Sequence, residues 1–138
     1  MRINDIQDEI IECFSMLDDW HSKYEYLLEM EKDLPLIDAG QKSDKTLVHG
    51  CNSKAWIQAE LIDGRIHFTA DAETAIARAI LALVIRVLQD HTPQEALDSP
   101  LYFIEQIGLM DNLSMTRVQG VEHLMAKLTK LARDLKQN

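Results

Sequence analysis

The chain predicts an α+β fold: a small antiparallel sheet of about three strands packed with several helices. Three observations predict it. Apolar residues recur with a helical period in both the first and the last part of the chain. Between them, a segment alternates with a period of two around Asp63-Gly64. Next to that segment, Glu73 to Gln89 is apolar on nearly every side, as a buried helix is. Helices first, then strands, then helices again is the order of an α+β domain. The 138 residues suit a single domain, 1–138, with one core.

Each element has a local cause. Ile6, Ile10, Cys13 and Leu17, extended by Ile3 and Phe14, form the apolar face of a first helix. Asp18 or Asp19 caps a second helix, which runs through Tyr24, Leu27 and Leu28 to about Lys32. Pro35 stops it, because a residue before proline is biased away from helical geometry. "IDAGQKSDKT" is a polar loop. "TLVHG" is a short strand, and "KAWIQAELI" is a half-buried one with Ala55, Ile57, Ala59 and Leu61 on one face. Asp63-Gly64 turns the hairpin, since both residues tolerate positive φ. "RIHFTA" returns with Ile66 and Phe68 inward.

Asp71 is placed to cap the long buried helix, with Glu73 in its first turn, where the dipole favours an acid. Thr92 and Pro93 open a short helix. "LYFIEQIG" is another, ended by Gly108. Ser114 caps the last long helix, whose core stripe is Val118, Val121, Leu124, Met125, Leu128, Leu131 and Leu135. Gly120 inside it costs roughly 1 kcal/mol against alanine, which suggests a close packing contact there.

Composition narrows the function. With 46% hydrophobic and 27% charged residues, the chain has the make-up of an ordinary globular protein. Fourteen Lys and Arg against 23 Asp and Glu give a net charge of −9, which repels phosphate backbones and argues against a nucleic-acid partner. The N-terminal stretch is too acidic for a signal peptide, and the longest apolar run, Ala79 to Ile85, is far too short to span a bilayer. Two cysteines provide neither a disulfide framework nor zinc-ligand spacing, so no metal is expected and free thiols in a reducing cytoplasm are.

The candidate chemistry sits in "VHGCNSKAW". Cys51 lies outside any periodic run, beside Gly50, whose backbone freedom permits close approach to another surface. His49 is two residues away, on the same side of an extended chain. Protonated, it would lower the thiol pKa. The plain alternative is a small residue packed in a turn beside a solvated histidine. Cys13, on the apolar stripe of the first helix, is a structural residue. Arg117, near the start of the last helix, is poorly placed for the helix dipole and either pairs with an acid, reaches a partner or is solvated. Trp56, on the polar side of its strand, marks an interface unless a helix covers it. No Gly-rich phosphate loop, HExxH motif or paired carboxylate site is present.

"VHGCNSKAW" resembles the "V-x-G-C-x-S-x-x-W" signature of the SufE family of cysteine desulfuration proteins. "LLEMEKDLP", "HFTADAETAIARAILALVIRVLQDHTPQEAL" and "FIEQIGLMDNLSMTRVQGVEHLMAKL" resemble further segments of the same family, so the likeness spans nearly the whole chain. It implies a fold shared with IscU-type scaffolds. It also implies a partner, a pyridoxal-phosphate cysteine desulfurase of the SufS type or a paralogue; the acceptor itself needs no cofactor. Cys51 would take sulfane sulfur as a persulfide and pass it on for iron–sulfur assembly, to a scaffold complex of the SufBCD type. Asp71 and Arg117 match an aspartate and an arginine of the family, and His49 and Gly50 support or contact the partner. Ala72 departs from the family's "D-S-D", and Met115 stands where proline is common. Because a persulfide is reactive and gains from shielding between partners, the Cys51 loop is expected to be sheltered in the free protein and to move outward in the complex. Three other readings compete: an iron–sulfur scaffold, which needs about three or four ligands, a Cys51–His49 hydrolase, and an adaptor without persulfide chemistry.

Overall fold

The computed structural model describes residues 2–136. Helix α1 (Ile3–Ser15) and helix α2 (Trp20–Glu29) come first. The side chain of Asp19 caps α2 by accepting from the Ser22 amide at 2.8 Å. A 3-10 turn, Met30–Asp33, carries the chain to Pro35. Strands β1 (Ala55–Ile62) and β2 (Arg65–Ala72) pair antiparallel, from Ile62 opposite Arg65 to Ala55 opposite Ala72. Asp63 and Gly64 both take positive φ, 53° and 79°, as a two-residue hairpin turn requires. Helices α3 (Ala75–Leu88), α4 (Pro93–Asp98), α5 (Phe103–Gln106) and α6 (Met115–Lys136) follow.

The sheet has two strands among the described residues, not about three. The segment expected to form another makes a single bridge, Leu47 to Trp56, with Val48 N–H donating to Ala55 and Ile57 N–H to Thr46. Its backbone cannot extend further. The Thr46 hydroxyl is drawn into its own loop, donating to the Gln41 carbonyl at 2.9 Å and accepting from the Ser43 amide at 3.0 Å. At the other end Gly50, with φ of 94°, turns the chain away.

The outer edge of β2 is closed in three different ways, which removes a template for edge-to-edge pairing. The Pro35–Ile37 backbone bonds both sides of Ala70. The Gln89 amide substitutes for a strand at Phe68, accepting from its N–H at 2.7 Å and donating to its carbonyl at 3.0 Å. Asp90 and His91 pair with Ile66 through the backbone.

Helix α3 is the centre. Ten of its 14 residues are buried, and β2, α2, α1 and α6 all pack against it. Its cap is Thr74, which accepts from the Ala77 amide at 3.3 Å, and not Asp71. Asp71 is still in β2, where strand geometry turns its side chain away from the helix start. Glu73 likewise precedes the helix, and its carboxylate accepts from the Lys54 amide at 2.6 Å. Thr92 and Glu95 form the reciprocal box that opens α4, and Ser114 accepts from the Arg117 amide at the start of α6. The expected stripe of α6 faces inward through Val121, Leu124 and Leu128. No helix among the described residues is long and apolar enough to cross a membrane.

Gln7 is the fully buried polar side chain of α1, and it ties α1 to α5. Its amide donates to the Pro100 carbonyl at 3.0 Å and accepts from the Phe103 amide at 3.2 Å. Replacing it with leucine takes the acceptor from the buried Phe103 N–H and the donor from the Pro100 carbonyl. Gln7→Leu should therefore lower the unfolding free energy by about 2–3 kcal/mol in urea titrations. A loss below about 1 kcal/mol would mean that water reaches those groups.

Candidate functional site around Cys51

Cys51 sits on the loop between the Leu47 bridge and β1, and Gly50 aims it. A left-handed φ at Gly50 turns the next residue toward α6. The Cys51 thiol then lies half-buried, its Sγ 3.8 Å from the Gly120 carbonyl, to which it donates. The far end of the loop is fastened to the start of α3 by a pair of bonds. Glu73 Oε1 accepts from the Lys54 amide, and the Glu73 amide donates to the Lys54 carbonyl at 2.9 Å.

The thiol opens on a cavity of about 280 Å³. Ile76, Ala77 and Ile80 of α3 and Val121 and Leu124 of α6 give it apolar walls. Thr74, Thr116, Arg117 and the loop residues Asn52 and Ser53 add polar groups. Burial pushes the Cys51 pKa above the ordinary thiol range, since a thiolate there would lose water and gain nothing in exchange. In this position the thiol stays protonated at neutral pH and reacts slowly.

The structure brings Cys51, Gly50 and Arg117 to one place. It does not bring His49 or Asp71 there. His49 is exposed, its Nε2 lying 4.0 Å from Asp44, and burial alone accounts for the direction of the Cys51 shift. Asp71 accepts from Lys42 Nζ at 2.7 Å and from the Ala72 amide at 2.8 Å. The same Lys42 ammonium lies 4.8 Å from the centre of the Trp56 ring. Half-buried Trp56 is thus covered by a lysine and not by a terminal helix. Burial works to raise the Asp71 pKa, but the Lys42 hydrogen bond, the Ala72 amide and the Lys42 and Arg78 charges outweigh it and hold the pKa low.

Gly120 is not a close-packing residue. A Cβ there would meet nothing within 4 Å, because the position borders the open cavity. Sequence reasoning missed His123 and Lys127. His123 stacks its imidazole against Gly50, and Lys127 donates to the Lys45 carbonyl at 2.8 Å. Their spacing from Gly120, three and then four residues, was a visible helical stripe, but its loop partner lies far away in sequence. Cys13 is half-buried in α1 and packs away from this cavity. Among the described residues no group of three His, Cys, Asp or Glu side chains is placed to hold a metal ion.

A half-buried thiol on a glycine turn, facing an apolar cavity between two helices, defines a small thiol protein. The chain belongs to the SufE family, described as an Fe-S metabolism associated domain, whose profile matches residues 8–132. It is 31% identical over 113 residues to the sulfur acceptor protein CsdE of Escherichia coli strain K12, covering 80% of this chain and 77% of that protein. It is 30% identical over 132 residues to an uncharacterized SufE-like protein of Rhizobium etli, covering 91% and 88%. The solution structure of a hypothetical protein from Thermus thermophilus has the same fold. Its TM-score is 0.80 at 20% identity, over 96% of this chain and 97% of that one.

Two predictions come from these electrostatics. The rate of Cys51 alkylation by iodoacetamide should rise with pH to a midpoint above that of free cysteine, about 8.5. A midpoint at or below the free value, read by mass spectrometry, would contradict a desolvated thiol. For Asp71 the folded pKa is depressed, so its stabilisation is present above the ordinary value of about 3.9 and is lost as pH falls through the folded pKa. Lys42→Met should flatten the loss of stability below about pH 4 in urea titrations. Parallel acid limbs in the two proteins would contradict the pairing.

Proposed function

We propose that this protein accepts sulfane sulfur from a pyridoxal-phosphate cysteine desulfurase and carries it as a persulfide on Cys51 for iron–sulfur assembly. The observation that carries the proposal is the placement of Cys51: a single sheltered thiol at the mouth of an apolar cavity, on the loop that bears the family signature. The relative named as a sulfur acceptor supports the same reading.

The transfer is a displacement at sulfur. The Cys51 thiolate attacks the terminal sulfur of the desulfurase persulfide, a new Sγ–S bond forms, the old S–S bond breaks, and the desulfurase cysteine leaves as a thiolate. No electrons are gained or lost overall, so the acceptor needs neither metal nor cofactor of its own. The pyridoxal phosphate belongs to the partner. Shelter and reactivity conflict in the free protein, where burial keeps the thiol protonated. An outward swing of the loop on docking resolves this by returning the sulfur to a more polar setting. Arg117 lies where it contacts the partner or the transferred sulfur. His49, exposed beside the turn, is a partner-contact residue, and Asp71 holds the local fold through Lys42. The acidic surface suits a basic face on the desulfurase. The downstream acceptor is a scaffold complex of the SufBCD type, and a reducing cytoplasm keeps both thiols free.

Transfer of labelled sulfur from L-cysteine through a purified desulfurase tests this, with the modified residue read by mass spectrometry. Cys51→Ser should abolish labelling and the stimulation of the desulfurase. Cys13→Ser should leave both intact. Equal loss in the two variants would overturn the assignment, and stimulation surviving Cys51→Ser would favour an adaptor.

A further inference from the structure

Gly120, His123 and Lys127 recur at steps of three and four, so they share one face of α6. That face runs along the loop from Lys45 to Cys51 and touches it three times. The Gly120 carbonyl accepts from the Cys51 thiol. The His123 ring fills the space beside Gly50, where a Cβ would come within 2.7 Å of Cε1 and 2.8 Å of Nε2. The Lys127 ammonium donates to the Lys45 carbonyl at 2.8 Å. Burial, and then repulsion from Lys130, lowers the Lys127 pKa, so this lysine is held partly out of water to make its bond.

The ends of the loop are held differently from its tip. Backbone bonds fix Thr46 and Val48 to β1, and Glu73 fixes Lys54. At the tip, Gly50 and Cys51 rest against α6. We propose that His123 and Lys127 are positioning residues that clasp the Cys51 loop against α6, with the His123 ring occupying the room that glycine at position 50 leaves. The resting shelter of the thiol is then set by this helix face and not by the loop's own structure. The clasp deepens the proposed function and rests on Cys51 as the transferring thiol, but it is testable without a desulfurase.

The experiment is alkylation of the folded full chain by iodoacetamide, with Cys51 and Cys13 followed separately by mass spectrometry. Cys13, in α1, is the internal reference for general loosening. His123→Ala should speed Cys51 alkylation about fivefold, as expected for loss of one contact of this kind, and leave Cys13 unchanged. Lys127→Met should act in the same direction. His123→Phe, which keeps a ring over Gly50, should retain the slow rate of the parent chain. An unchanged Cys51 rate in His123→Ala would overturn the clasp. So would equal acceleration of both cysteines, or a His123→Phe variant as fast as His123→Ala. Failure of sulfur transfer with the alkylation pattern intact would count against the proposed function and leave the clasp standing.

Discussion

Helix α3 imposes the constraint on which the rest of the structure depends. A helix buried over ten of 14 residues leaves little beyond Arg86 to water. It must be wrapped, and each other layer is a piece of wrapping: the inner face of β2 on one side, α1 and α2 on another, α6 on a third. The sheet can remain as small as two strands because it only has to cover one side of one helix. Its outer edge is closed by backbone from Pro35–Ile37, by the Gln89 amide and by the turn after α3, so it needs no further strand.

The site is a gap in that wrapping. At its first turns α3 faces α6 through Ile76, Ala77 and Ile80, with Val121 and Leu124 opposite. Ala77 and Gly120 are too small to fill the space between the helices, and the Cys51 loop closes it only partly. The same residue that weakens α6 as a helix therefore leaves room beside the thiol, and its carbonyl receives the thiol's hydrogen. Space, apolar walls and a hydrogen-bond acceptor come from residues whose first role is in the core, so the site requires little dedicated machinery.

Much of this was legible because it rests on local rules. The Asp63-Gly64 turn, the Thr92–Pro93 helix start, the Asp19 and Ser114 caps and the α6 stripe all follow from neighbours in sequence. The misplacements share a different cause. Asp71 has the right chemistry for a cap, but β2 keeps it one turn of chain too early, and Lys42 takes its carboxylate. Thr46–Val48 has strand composition, but hydroxyl bonding and Gly50 limit it to one bridge. Cys51 was ambiguous for the same reason. Its nearest titratable neighbour in sequence, His49, lies toward Asp44, while the groups that surround the thiol come from α3 and α6. Pattern along the chain could not choose between an inert and a working thiol; the proposal of a working one rests on the resemblance to the SufE family.

Arg117 shows how strongly burial governs the sulfur. It lines the same cavity, carries a permanent charge and stands in the first turn of α6, where the helix dipole is also positive. Both would favour a thiolate. Yet the Cys51 pKa is raised, and burial is the cause. In the resting geometry desolvation alone sets the direction, with no contribution from the arginine. A guanidinium at the rim, turned toward solvent, is largely screened, whereas loss of water acts directly on the sulfur. On the proposed outward swing, desolvation would fall as the sulfur regains water, while a long arginine side chain could follow it. In the resting geometry the position of the loop is enough to hold the Cys51 pKa up.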